Sequence, residues 1–367
     1  MVRPPGRSAA SRRGGALDLQ SSRLSVAYRQ RLNRAGSVLE QWARERGFSL
    51  ATLEQDPQKM NDVLIRFLQE LFELGAAVWV GTHAVLAVQT RWRGLKGLLR
   101  PAWDSIGSWR LQSPIRSRTP LPLCLLTLFC RFAVYSAVVA EPHDAAAWWG
   151  FGVVLRLAFR GLLRPKEAWN LVRRDVRLPG RLSLLGAPVG VLTIRDTKNR
   201  AHMGRLQVRA IRCPEALAWL RWWTVDFSDG SMVWPFGGLK FRQLFSKAVA
   251  FFGLEALRLS PASCRAGGAT ALFESGEPIS SIRFAGSWAS ERVLSHYLQE
   301  AESAAALLSI NESQASRIEK FLGEFAFAAD PPQAVARETF TWTSTRLPTP
   351  FVPRTTSSYR RPAAHGG

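Results

Sequence analysis

A tyrosine becomes a nucleophile only when other side chains make it one. Tyr297 stands in GSWASERVLSHYL, nine residues after Trp288, and is one of four tyrosines in the chain. Attack by its phenol oxygen on a phosphodiester would dictate what else must be found. The phosphorus centre is anionic and gains charge in the transition state. Two arginines suit it, since each offers a planar fork of N–H donors to phosphoryl oxygens. The leaving 5′-oxygen needs a proton, which a lysine can supply. One further donor can steady a non-bridging oxygen. With cations of the protein in these roles, the chemistry calls for no metal.

The second half of the chain holds a candidate for each part. In FRGLLRPKEAW, Arg164 directly precedes Pro165. Proline suits the first helical position, so Arg164 is expected at the mouth of a helix. TIRDTKNRAHMG puts Lys198 in a turn between two predicted strands. RLSPASCRAGGATALFESG predicts a helix with Ser260 as N-cap, Pro261 after it and Arg265 in the second turn. Ala266, Gly267 and Gly268 beside Arg265 permit close packing. Trp288 precedes the last helix of this region, and Tyr297 is expected on that helix. Each residue taken alone has a plainer reading. Tyr297 and Trp288 would be core aromatics, Arg164 and Lys198 surface charges, and Arg265 a helix-packing arginine.

Taken together and in order, these residues resemble the catalytic domain of tyrosine recombinases, the phage-integrase family. The first arginine of that family stands in a GLRxxE box, here LLRPKE with Arg164 and Glu167. Lys198 matches the lysine of its β-hairpin. ASCR, ending at Arg265, matches its HxxR box. Trp288 and Tyr297 match its GH or GW position and the nucleophile that follows. The resemblance covers roughly residues 120–305. It implies that Tyr297 forms a 3′-phosphotyrosyl link, that Arg164 and Arg265 hold the phosphoryl oxygens and that Lys198 protonates the 5′-oxygen. Trp288 would donate its indole N–H or pack against the tyrosine segment, and Glu167 would orient Arg164. DNA recombination or integration by a mobile-element protein is the function implied. Neither metal nor other cofactor is implied. Double-stranded DNA is the expected partner, with a homotetramer assembled on paired sites.

One position departs from the family. Ala262 stands where HxxR has its histidine, and alanine can neither contact a phosphate nor move a proton. The loss would cost on the order of 10²-fold in rate. His202 and His296 are the nearby histidines that could compensate. Two alternatives stay open: a DNA-binding relic without catalysis, and a type IB topoisomerase-like enzyme with the same chemistry.

The elements that must position these residues follow from patterning. The expected fold class is mainly α with a small antiparallel β-sheet. Residues 1–21 form a basic tail expected to be disordered. Residues 22–112 read as a four-helix unit similar to the family's core-binding domain, with Pro57 in the first turn of one helix and Gly75 at its C-cap. The Pro-rich basic stretch 113–122 is the linker. The catalytic domain spans 123–305, where GRLSLLG, GVLTIRD and GRLQVRAIR show strand-like alternation. A helix in 306–329 carries Ile318, Phe321, Leu322 and Phe325 on one face, to pack either at home or on a neighbouring protomer. Residues 330–367 form a second disordered tail.

Composition agrees with a nucleic-acid partner. The formal net charge is +21, and residues 1–34, with eight arginines and one aspartate, account for only part of it. Four scattered cysteines form no zinc pattern and no disulfide framework. The stretch MVRPPGRSAASRRGG lacks an apolar run, so no secretory signal is expected and the sequon at Asn311 carries no meaning. The apolar stretch 121–140 is long enough to span a bilayer. Arg131 in its middle favours a buried core helix instead. The expected location is intracellular and with DNA: the nucleus of a eukaryote or the cytoplasm of a bacterium.

Overall fold

The structure, a computed structural model, describes residues 24–113, 119–180, 188–195, 197 and 206–325. It divides into two compact units, Met1–Arg116 and Ser117–Gly367.

Four helices make the first unit: α1 (Val26–Glu45), α2 (Pro57–Glu73), α3 (Val78–Arg91) and α4 (Arg100–Gln112). Asp56 caps α2 by accepting the Lys59 N–H at 3.0 Å, with Pro57 in its first turn. Gly75 ends the helix in the left-handed region, at φ +68°. The apolar stripe of α2, from Met60 to Leu68, meets Leu39 and Trp42 of α1, Val85 of α3 and Ile106 of α4 in one core. Buried Asn61 ties α2 to α4: its amide donates to Leu98 O at 3.0 Å, and its carbonyl accepts the Ala102 N–H at 3.2 Å. The pattern predicts a fourth helix over 94–110, but α4 begins only at Arg100. Residues 93–95 form a separate short 3₁₀ turn, and Gly97 holds φ +90°.

The second unit is built on α5 (Leu123–Val139) and α6 (Pro142–Arg160). Nearly the whole circumference of α5 is buried, from Leu125 to Ala137, which is why its sequence is apolar without a stripe. Among the described residues no helix is long and apolar enough to cross a membrane. Next come α7 (Pro165–Trp169) and a three-stranded antiparallel sheet, β1 (Val176–Arg177), β2 (Gly190–Ile194) and β3 (Gln207–Ile211), in the order β1-β2-β3. The β1 strand lies ahead of the predicted strand GRLSLLG, most of which is outside the described residues. Then follow α8 (Pro214–Thr224), α9 (Gly237–Phe251), α10 (Ser263–Glu274), α11 (Ile279–Gly286), α12 (Glu291–Ser295), α13 (Glu300–Leu308) and α14 (Glu312–Glu324). The face of α14 packs at home: Phe321 is buried against Phe132 and Phe252, with Ile318, Leu322 and Phe325 beside it. The fold is therefore mainly α with one small antiparallel sheet, as the patterning predicts.

Two local expectations are corrected. The helix carrying Arg265 starts at Ser263, not after Ser260, because Pro261 and Ala262 form a turn before it. Ser260 supplies no side-chain cap; its own N–H donates to Ser263 Oγ at 3.1 Å. Arg265 thus lies in the first turn. Tyr297 is not on a helix: α12 ends at Ser295, and Tyr297 sits in the turn that follows.

Candidate functional site

Arg164 is the N-cap residue of α7, held there by its own sequence neighbour. Glu167, three residues on, accepts the Arg164 backbone N–H at 2.9 Å and the Arg164 Nη1 at 2.6 Å. Glu167 is buried, while the Arg164 side chain is partly exposed. The carboxylate aims the guanidinium and fixes the helix start at once. The chain reaches this point through Leu162, a non-glycine residue in the left-handed region at φ 50°. That conformation costs on the order of 1–2 kcal/mol, and the Leu162 carbonyl becomes an anchor for Arg265.

Arg265 is only 2% exposed. Its Nη1 donates to Leu162 O, and its Nη2 donates to Gly286 O at 2.6 Å. Its guanidinium lies 4.2 Å from the centre of the Trp288 ring and 5.7 Å from that of Tyr297. The Trp288 and Tyr297 rings are 5.1 Å apart. Such burial is possible because α10 has no side chain at Gly267 and Gly268, where it meets the backbone of Leu121 and Phe159. A Cβ on Gly267 would lie 2.0 Å from Leu121 O, and one on Gly268 would lie 2.2 Å from Phe159 O. The corner after α11 is equally tight: Ser287 turns left-handed at φ 50°, and a Cβ on Gly286 would sit inside the Trp288 ring. Thr270 of α10 fastens the tyrosine turn. Its hydroxyl donates to Tyr297 O at 3.1 Å and accepts the Gln299 N–H at 3.3 Å. Leu162, Ala269, Ile282, Trp288 and Leu294 form a small core beneath.

Burial, followed by the charges of Arg164 and Arg209, pushes the Arg265 pKa down to about 9; Glu167 and Tyr297 act the other way. The group remains a cation at neutral pH. A third arginine therefore belongs to this neighbourhood, and sequence reasoning missed it. Arg209 is 1% exposed on β3. It donates from Nη1 to Ser287 Oγ at 2.5 Å, and from Nη2 to Gln207 Oε1 at 2.9 Å and Gly286 O at 3.3 Å. Burial lowers its pKa, as does Arg164, against Glu167. The signal was present in the alternation of QVRAI, but hydropathy points the wrong way. Val208 is exposed, while Gln207, Arg209 and Ile211 face inward, with Arg209 paired to Leu192 of β2.

Arg164, Glu167, Arg265, Trp288 and Tyr297 thus share one neighbourhood. Lys198 and His202 lie outside the described residues. Ala262 immediately precedes α10, and His296 is exposed beside Tyr297. Among the described residues no group of acidic, histidine or cysteine side chains could hold a metal ion.

No family model matches the chain, and no curated protein matches it. Solved structures do resemble it. One is the Tn1549 transposon integrase in complex with transposon right end DNA, with 10% identity over 75% of this chain and 98% of that one, TM-score 0.48. A second is the XerH site-specific recombinase bound to difH substrate, in a pre-cleavage complex, with 13% identity over 66% and 69%, TM-score 0.42. A third is the XerA recombinase, with 14% identity over 83% and 94%, TM-score 0.35. Likeness at this level assigns neither residues nor activity; both have to follow from the side chains.

Proposed function

We propose that the chain breaks and rejoins DNA strands through Tyr297, in site-specific recombination or integration. The observation that carries this reading is the convergence at Arg265. A buried cation lies beside the Trp288 and Tyr297 rings and shares its surroundings with the carboxylate-aimed Arg164. A buried guanidinium held by two carbonyls remains hungry for an anion.

In the proposed step, the Tyr297 Oη–P bond forms and the P–O5′ bond breaks. The phosphate stays on the protein as a 3′-phosphotyrosine, the phenolic proton leaves to solvent, and the 5′-oxygen takes a proton from Lys198. Arg164 and Arg265 carry the charge gained by the non-bridging oxygens. Trp288 stacks beneath Arg265 and keeps water from it. Glu167 positions Arg164. The bond energy is retained in the covalent link, so the reverse attack by a 5′-hydroxyl reseals the strand. Double-stranded DNA is the partner, and four copies of the chain act on paired sites. Phosphate contacts make binding fall steeply with salt.

The test is covalent trapping on nicked suicide duplexes, including the flanks of the protein's own gene, with denaturing gels to reveal a protein–DNA adduct. Wild type is expected to give an adduct that Tyr297→Phe and Arg265→Ala lose. Ala262 favours a second reading, a DNA-binding relic that no longer cleaves. An adduct from Ala262→His but not from wild type would establish that relic. Tight DNA binding with no adduct from any version would sink the cleavage reading.

A further inference from the structure

Glu167 pairs with Arg164, and both charges are felt by two further guanidiniums, Arg209 and Arg265, which meet at the Gly286 carbonyl. Two of the three are buried almost completely. Cations at such density are costly unless an anion joins them. The hydrogen-bond inventory has the same imbalance. Arg209 and Arg265 both donate to the Gly286 carbonyl. Their Nε–H groups, the Trp288 indole N–H and the Gln207 amide nitrogen are buried donors with no acceptor among the described residues. All four belong to side chains gathered at the Gly286–Trp288 corner. A buried donor without a partner is normally avoided, and four together call for one ligand rich in acceptors.

We propose that Arg209 is a third phosphate-holding guanidinium of this site, giving its Nε–H to a tetrahedral oxyanion bound jointly by Arg164 and Arg265. The inference rests on the reading of those two arginines as phosphate ligands. Its own support is the geometry of β3. Ser287, Gln207 and Gly286 occupy both Nη atoms of Arg209 and leave only Nε for a ligand. The strand turns this side chain inward at the expense of Val208, which is exposed instead. In the DNA reaction the ligand is the scissile phosphate. Arg209 then supplies a donor and a positive charge to a site whose histidine position holds Ala262.

Inorganic phosphate is the probe, and heat unfolding of the full chain is the readout, at constant ionic strength made up with sodium chloride. Wild type is expected to gain stability saturably with phosphate, and Tyr297→Phe should gain as much. Arg209→Met, which keeps volume but removes the donors, should bind phosphate roughly tenfold or more weakly. The exposed Arg242→Met is the control and should match wild type. Equal phosphate affinity in Arg209→Met and wild type would make Arg209 a purely structural arginine and overturn the proposal. So would the absence of any saturable gain in wild type. Should Arg209→Met not fold, Arg209→Gln takes its place: it keeps a polar side chain on β3 but lacks the positive charge and Nε–H, and wild-type affinity there overturns the proposal equally. Phosphate binding that needs Arg209, combined with no DNA adduct, would sink the cleavage reading and leave this one standing.

Discussion

Gly267→Ala puts the packing of α10 to a quantitative test. The added methyl would lie 2.0 Å from Leu121 O, 2.8 Å from its carbonyl carbon and 2.9 Å from its nitrogen. All three are backbone atoms, so no side chain can rotate away. Relief requires α10 to move by roughly 1 Å, against the Leu121 N–H bond to Ser263 O at 3.0 Å. Overpacking of this kind costs about 1–3 kcal/mol. Alanine in place of a helical glycine returns up to about 1 kcal/mol. A net loss of about 1 kcal/mol is expected, a fall in Tm of about 2–4 °C for a unit of this size. Arg265 is two residues from the clash, so a shift of about 1 Å should also lower the yield of covalent adduct by about 10²-fold. The matched control is Gly107→Ala in α4, where an added Cβ meets nothing within 4 Å. Its stability should rise by up to about 1 kcal/mol. Differential scanning calorimetry checks both. If Gly267→Ala is as stable as wild type, α10 does not pack directly on the Leu121 backbone, and that packing is not what buries Arg265.

Other outcomes follow from the same geometry. Ala262→His should raise the rate of adduct formation by about 10²-fold, measured in a quenched time course; an unchanged rate would mean the position contributes nothing here. Thr270→Val removes both the bond to Tyr297 O and the acceptor for the Gln299 N–H. It should cost about 1–3 kcal/mol and reduce adduct yield, while DNA affinity in a gel shift stays as it was. Burial pushes the Cys130 thiol up to about 11 and raises that of Cys264. At pH 8 roughly one Cys130 in a thousand is thiolate. Iodoacetamide followed by mass spectrometry should therefore label exposed Cys124 in the native protein, and Cys130 and Cys264 only after denaturation.

What the sequence determined by itself was local. Pro57 and Pro165 start helices because a fixed φ and a missing N–H fit a first turn. The Arg164–Glu167 contact spans three residues, so it forms wherever that turn forms. The apolar run of α5, interrupted by Arg131, is a core helix because a charge at its centre is tolerable in protein and costly in lipid. The order of Arg164, Arg265, Trp288 and Tyr297 was equally legible as a pattern. Their meeting was not. It depends on bonds between residues 103 apart, from Arg265 to Leu162, and 27 apart, from Thr270 to Tyr297. Ser260 offered a plausible cap, yet the turn at Pro261 and Ala262 delayed the helix to Ser263. Tyr297 continued a helical pattern, but Thr270 holds its carbonyl in a turn instead. The clearest case is β3. A period of two says that one face of a strand is buried but not which face. Hydropathy favours Val208. The partners waiting in the fold, Ser287 and the Gly286 carbonyl, favour Arg209, because they accept from both Nη atoms of a buried guanidinium. That choice belongs to chain segments nearly eighty residues apart, and only the tertiary structure could make it.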